Sequence, residues 1–194
     1  MDLEFIIILF ISYLTGSIPF GLIITKLFLK KDIRNFGSGN IGATNVLRTG
    51  NKFLAILTLL LDVSKGFLII LITHNFFNNL IYLAGLLCLL GHIFPIWLNF
   101  KGGKGIATYV GILLGISIKV FLVFGLTWLI TAAITRYSSL SSILSTFVAL
   151  CYSYFSYNNS LIFFMITVFI IIVYTHKDNL KRLINKTENK IRFK

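Results

Sequence analysis

Residues 53–73 read FLAILTLLLDVSKGFLIILIT, an apolar run in which Asp62 and Lys65 are the only charges. At about 1.5 Å of rise per residue, a helix of that length covers about 30 Å, the thickness of a bilayer's hydrocarbon core. Outward from this run the pattern repeats, with apolar stretches at residues 5–28, 79–98, 106–118, 120–135, 139–156 and 160–175. Those at 106–118 and 160–175 fall short of the roughly 20 residues a crossing needs, which sets a range of about five to seven spans. Of the 194 residues 57% are hydrophobic and 12% charged, whereas soluble proteins carry about 25% charged residues. The expected fold is therefore an all-α polytopic membrane protein with about seven transmembrane helices, joined by interfacial glycine-rich loops and short helices.

Basic residues orient such a chain, because cytoplasmic loops collect Lys and Arg. Residues 29–52 carry Lys30, Lys31, Arg34, Arg48 and Lys52, residues 99–105 carry Lys101 and Lys104, Arg136 sits in the turn at 136–138, and seven Lys and Arg follow residue 175. The opposite loops at 74–78 and 157–159 hold none, and Lys119 alone marks the third. This asymmetry predicts an outside N-terminus, marked by Asp2 and Glu4, and a cytoplasmic C-terminus. Basic residues placed between apolar runs argue against nucleic acid as a partner despite a net charge of +12. Leu180, Leu183, Ile184 and Ile191 alternate with Lys181, Arg182, Lys190 and Arg192, which predicts an amphipathic helix along the inner surface. No repeat or soluble linker divides the chain, so residues 1–194 are expected to form one domain. Cys88 and Cys151 lie in apolar runs without metal-site spacing and read as core residues.

Two segments have no use in lipid: Gly37-Ser38-Gly39-Asn40-Ile41-Gly42-Ala43-Thr44-Asn45 and Phe100-Lys101-Gly102-Gly103-Lys104-Gly105-Ile106-Ala107-Thr108. Glycines let successive backbone N–H groups converge, and a helix starting just beyond adds its positive end, so phosphate or carboxylate is the natural ligand. Two such loops suggest two anionic ligands. In the first, Ser38, Asn40, Thr44 and Asn45 supply polar side chains around Gly39 and Gly42, with Arg48 four residues after Thr44; helix capping is the plainer alternative. In the second, Lys101, Gly102, Gly103 and Lys104 open a helix, but Gly105 stands where a nucleotide-binding P-loop has Ser or Thr, so neither ATP nor magnesium is implied. A lipid headgroup contact is the alternative there.

A third cluster, His176-Lys177-Asp178-Asn179, lies where the last span ends. A histidine titrating near pH 6.5 can take or orient a proton, and Asn179 shares its helical face; an interfacial snorkelling or capping role is the alternative. Asp62 and Lys65, three residues apart, either neutralise each other or brace Arg48 or Lys104. His92 and Pro95 end the third span and shape the approach to Lys101. The six acidic residues form no cluster, so neither metal nor cofactor is expected.

Taken together, Gly16-Ser17-Ile18-Pro19, Gly37 through Arg48, Gly91-His92 with Phe94-Pro95, Phe100 through Thr108, and His176 through Glu188 resemble the bacterial acyl-phosphate:glycerol-3-phosphate acyltransferases, small polytopic enzymes of the first acylation step of phospholipid synthesis. The resemblance implies transfer of a fatty acyl group from acyl phosphate, reached from the membrane, to the 1-hydroxyl of cytoplasmic glycerol 3-phosphate, giving lysophosphatidic acid and phosphate. It implies a bacterial inner-membrane location, a site at the cytoplasmic face, and an acyl-phosphate-forming enzyme as a partner. It places Ser38, Arg48, Lys104, His176 and Asn179 around glycerol 3-phosphate and the reacting groups, Gly42 and Thr44 near the donor phosphoryl group, and Ser142 as a further substrate contact. The family's last motif usually has Gly two residues before its Glu, where this chain has Lys186 before Glu188. A transporter of an anionic metabolite is the alternative reading of basic residues near broken helices, although such sites lie near the bilayer midplane between repeats. A non-enzymatic lipid-binding factor would explain the basic tail but not the two glycine loops.

Overall fold

The computed structural model describes residues 3–191; Asp2 and Arg192, which entered the reading of the termini, lie outside the described residues. All regular structure among the described residues is helical, and the chain forms two compact units, one ending at Ile116 and one beginning at Ser117.

The first unit holds α1 (Leu3–Ser17), α2 (Phe20–Leu29), α3 (Ala43–Leu47), α4 (Lys52–Phe76), α5 (Ile81–Ile93) and α6 (Ile106–Ile116). Pro19 lacks an N–H and separates α1 from α2 inside what sequence reads as one apolar run. The main packing pairs are α1 with α5 and α4 with α6. Lipid is as apolar as leucine, so helices gain from association mainly where small residues let backbones approach. A Cβ at Gly16 would collide with the Cys88 carbonyl, and one at Gly91 with the Tyr13 carbonyl, which fixes α1 on α5. Gly66 against the Thr108 carbonyl and Gly111 against the Val63 carbonyl do the same for α4 and α6.

The second unit holds α7 (Ile118–Thr135), α8 (Ser138–Ser156), α9 (Asn159–Thr175) and α10 (Lys177–Ile184), with α8 packed against both α7 and α9. The buried hydroxyls of Ser141, Ser142, Thr146 and Ser153 donate to carbonyls four residues back, at 2.7–2.8 Å, so these four polar side chains sit within α8 with their donors paired.

Among the described residues, five helical segments are long and apolar enough to cross a membrane: Leu3–Leu29, Lys52–Phe76, Asn78–Leu98, Ile118–Thr135 and Ser138–Phe155. The pair α9 and α10 qualifies as a sixth, bent by 60°. The apolar run at 106–118, short of a full crossing as its sequence predicts, forms the 11-residue α6, about 16 Å long. One sequence expectation changes. The tail is not one amphipathic helix to its end, since α10 stops at Ile184 and Lys186 turns the chain with φ +58°.

Candidate active site

The first glycine loop is built around one amide. Asn45, 2% exposed on α3, accepts from the Ser38 N–H at 2.9 Å, and its Nδ2 donates to the carbonyls of Ile33, Phe36 and Asn40 at 3.1, 2.9 and 2.8 Å. Gly37, at φ +58°, is required twice: by its backbone conformation and because a Cβ there would strike Asn45 Oδ1. Asn40 Oδ1 accepts from the Gly42 N–H at 3.2 Å, closing a second turn. Ile33, Ile41 and Val46 then bury against Leu22, Ile24, Leu54 and Ala55, fixing the loop to α2 and α4.

This corrects the cradle expected from glycine content. The N–H groups of Ser38 and Gly42 are bound by side chains of the loop itself, and α3 has only five residues. What the loop presents outward is side chains: Ser38 and Thr44 are exposed, and half-buried Arg48 lays its Cδ beside Gly37. Asn45 is an organiser of this loop rather than one of its exposed donors.

Ahead of the loop, Asp32 and Arg34 form a forked ion pair, Nη2 to Oδ2 at 2.6 Å and Nε to Oδ1 at 3.0 Å. The hydrogen bonds from Arg34 hold the Asp32 carboxyl down at about 2, with the charge of Lys26 helping.

The second loop has a different logic. Gly102 and Gly103 donate their N–H groups to the carbonyls of Ile93 and His92, each at 3.0 Å. A Cβ on Gly102 would collide with the His92 carbonyl and Pro95, and one on Gly103 with the His92 ring. These glycines therefore allow the loop to lie flat on the end of α5, and their N–H groups are not turned to a ligand. Lys101 is exposed and Lys104 half-buried. Asp62 pairs with Lys65 at 2.8 Å, each 2% exposed, and His92 Nδ1 lies 3.6 Å from the same Asp62 oxygen. The pair neutralises itself, with His92 as third member.

The two loops meet. A cleft of about 460 Å³ is lined by Arg34, Gly39, Ile41, Leu98, Asn99, Lys101 and Gly102. Both glycine loops thus line one cleft, and Arg34, read from sequence only as a topological charge, lines it with Lys101. Its place five residues before Gly39, at the edge of the first glycine loop, is the sequence feature that points to it.

In the second unit, His176 joins α9 to α10 and is 3% exposed. Its Nδ1–H donates to the Ile172 carbonyl at 2.9 Å, which makes Nε2 the acceptor nitrogen of the neutral ring. Asn179 Nδ2 donates to Glu188 Oε1 at 2.6 Å, and Glu188 also accepts from Ser139 at 2.9 Å and Arg182 at 2.7 Å. Burial raises the Glu188 carboxyl, but these hydrogen bonds and the Arg182 charge outweigh it and hold the group below the usual carboxylate range. Glu188 therefore ties the tail to Asn179, a link that sequence reading left as part of a motif without a role. Ser142 is 2% exposed, donates to the Ser138 carbonyl and accepts from Trp128 Nε1 at 3.1 Å, so its hydroxyl joins α7 to α8.

The turn carrying Glu188 gives a physical reason for the glycine that the resemblance leads one to expect two residues before it. Asn185 closes α10, and Lys186 takes the left-handed conformation at the position where helices usually use Gly, with the Thr187 N–H returning to the Arg182 carbonyl at 2.8 Å. An L-residue there costs about 1 kcal/mol relative to glycine. Lys186→Gly is expected to raise thermal stability in detergent by up to that amount, and Lys186→Val to lower it; a lower melting temperature for the glycine variant would contradict the assignment.

The described geometry has close counterparts. The family profile described as glycerol-3-phosphate acyltransferase matches residues 6–186. The chain is 54% identical over 188 residues to the glycerol-3-phosphate acyltransferase of Pelagibacter ubique (strain HTCC1062), covering 97% of this chain and 98% of the relative. It is 48% identical over 183 residues to that of Brucella canis (strain ATCC 23365 / NCTC 10854 / RM-666), covering 94% and 91%. Among solved structures, PlsY (YgiH), an integral membrane glycerol 3-phosphate acyltransferase, matches in its glycerol 3-phosphate form with a TM-score of 0.91 at 38% identity, over 96% of this chain and 95% of that one. Its lysophosphatidic acid form matches with a TM-score of 0.88 at 37% identity, over the same shares. A profile match along nearly the whole chain, and relatives near half identity over almost their full length, show that this multi-pass membrane protein belongs to the glycerol-3-phosphate acyltransferase family.

Proposed function

We propose that the protein transfers a fatty acyl group from acyl phosphate to the 1-hydroxyl of sn-glycerol 3-phosphate, releasing lysophosphatidic acid and phosphate. The observation that carries this reading is a cleft walled by both basic loops in a chain of this family. The hydroxyl oxygen attacks the acyl carbonyl carbon, the bond from that carbon to the phosphate oxygen breaks, and its electron pair leaves with phosphate. An acyl phosphate is a mixed anhydride, so the step asks for positioning and charge stabilisation more than for an activated nucleophile.

Within this proposal, Arg34 and Lys101 draw phosphate to the cleft, while Ser38, Arg48 and Lys104 seat the acceptor phosphate and the reacting groups. Gly42 and Thr44 serve the donor phosphoryl group, and Gly39 and Gly102 keep the cleft wall low. Asn40 and Asn45 act through the first loop's shape, Gly103 through the second's, and Ser142 through the packing of α8. His176 orients or deprotonates the hydroxyl, with Asn179 beside it on the same helical face. The whole chain is read as one functional domain needing no cofactor, supplied by an enzyme that forms acyl phosphate.

The positive-inside asymmetry supports seven crossings, α6 serving as a short one, with the N-terminus outside and the C-terminus and active site at the cytoplasmic face of a bacterial inner membrane. With Cys88 and Cys151 replaced, a cysteine at Asn51 or Asn185 should be labelled only from the cytoplasm and one at Asn78 or Asn158 only from outside. Labelling of positions 51 and 78 from one side would overturn this topology.

Kinetics test the reaction itself. Purified protein given acyl phosphate and labelled glycerol 3-phosphate should form lysophosphatidic acid, whereas donor-independent uptake into proteoliposomes would favour transport. A charge-assisted contact contributes about 1.5–3 kcal/mol, so Arg48→Ala and Lys104→Ala should raise the acceptor KM by roughly 10- to 150-fold, well beyond any change in donor KM. His176→Ala should lower kcat by about 10²- to 10⁴-fold with less effect on KM. Near-normal kcat in His176→Ala would assign the proton to the departing phosphate instead.

A further inference from the structure

Charge inside a membrane span is costly and stays only where it is paired and used. On α4, Lys65 Nζ reaches three acceptors: Asp62 Oδ1 at 2.8 Å, the Ile18 carbonyl at 3.0 Å in the break before Pro19, and His92 Nδ1 at 2.8 Å. An ammonium only donates, so His92 Nδ1 accepts and the ring hydrogen is assigned to Nε2. The ring of His92, 5% exposed, is thereby held in one orientation from α4.

Its opposite edge faces the second loop. A Cβ on Gly103 would collide with Nε2 and the carbons beside it, so ring and loop backbone are in direct packing. The His92 carbonyl meanwhile accepts from Gly103 N–H, and the Ile93 carbonyl from Gly102 N–H, each at 3.0 Å. The carbonyls draw the loop toward α5 and the ring edge stops it, so the height of residues 101–105 is set from both sides. Those residues carry Lys101 on the cleft wall and Lys104 three positions on.

We infer that His92 is a positioning residue for acyl transfer: clamped by Lys65 and Asp62, it sets the 101–105 loop and through it places Lys104 for phosphate. This rests on the acyl-transfer reading above. Asp62 keeps the buried Lys65 ammonium neutralised, and Ile18 supplies the acceptor that the Pro19 break exposes. None of these residues needs to touch substrate.

The test is a double-mutant cycle on the full chain in detergent, with kcat and both KM values measured for folded, monodisperse protein. His92→Asn keeps an acceptor for Lys65, and His92→Leu removes it at similar size. The Leu variant is expected to lose about 10- to 100-fold in kcat/KM for glycerol 3-phosphate, mainly through KM, and the Asn variant less than about threefold. In a Lys104→Ala background the Leu substitution should cost less than about threefold, because its effect runs through Lys104. Equal losses in both backgrounds, or an Asn variant as impaired as Leu, would overturn the inference. Should the Leu variant fail to fold, Gly103→Ala carries the test: its Cβ, pressed on the His92 ring, should reproduce the acceptor KM defect in the wild-type background and cost less than about threefold in Lys104→Ala. Equal losses of Gly103→Ala in both backgrounds would also overturn the inference, whereas wild-type protein that forms no lysophosphatidic acid would instead refute the acyl-transfer reading.

Discussion

Lys65 holds the first unit together where it matters for chemistry. Its ammonium joins α4 to the carbonyl of Ile18 and to His92 at the end of α5, with Asp62 as counter-charge. A buried ion pair is weak evidence for stability, because desolvation offsets much of its attraction, but it is demanding about geometry. Here that geometry fixes two interruptions of regular helix at once: the Pro19 break between α1 and α2, and the turn at Pro95 that leads into the second loop. The loop lies on the end of α5 because both its glycines and the His92 ring permit only that approach.

The first loop reaches rigidity by another route. One buried amide, Asn45, replaces the backbone pairing that a helix would have supplied, and a small apolar cluster on α2 and α4 anchors it. Both loops are thus organised from beneath, one by an amide and one by a histidine. Their outward faces are left to side chains, and Arg34 with Lys101 gives the shared cleft its charge. In the second unit the same economy appears in Glu188, which collects Ser139, Asn179 and Arg182 and so ties the tail to the helix that follows His176.

Membrane character, the place of the glycine segments between apolar helices and the Asp62–Lys65 pair were legible in sequence because each follows from hydropathy or from spacing along one helix. The family resemblance reached further and agreed with the comparisons. What glycine does was not legible: positive φ at Gly37 and close packing at Gly103 leave the same letter, and only coordinates separate a turn from a backbone approach. Ser142 resembled a ligand group, yet a serine inside a helix can satisfy its hydroxyl with the carbonyl one turn back. That the 106–118 run falls short of a full span was legible from its length, and Ser117, which caps the next helix, ends it at 11 helical residues. Arg34 was hidden because its partner in the cleft, Lys101, is distant in sequence.

The central claim is that both loops contribute to one phosphate site. Titration of glycerol 3-phosphate into purified protein without acyl donor tests it directly, comparing wild type with Arg34→Ala and Lys101→Ala. The account predicts that each substitution weakens binding by about tenfold or more, as expected for loss of a charge-assisted contact. Wild-type affinity in both variants would show that the cleft where the loops meet is not where phosphate binds.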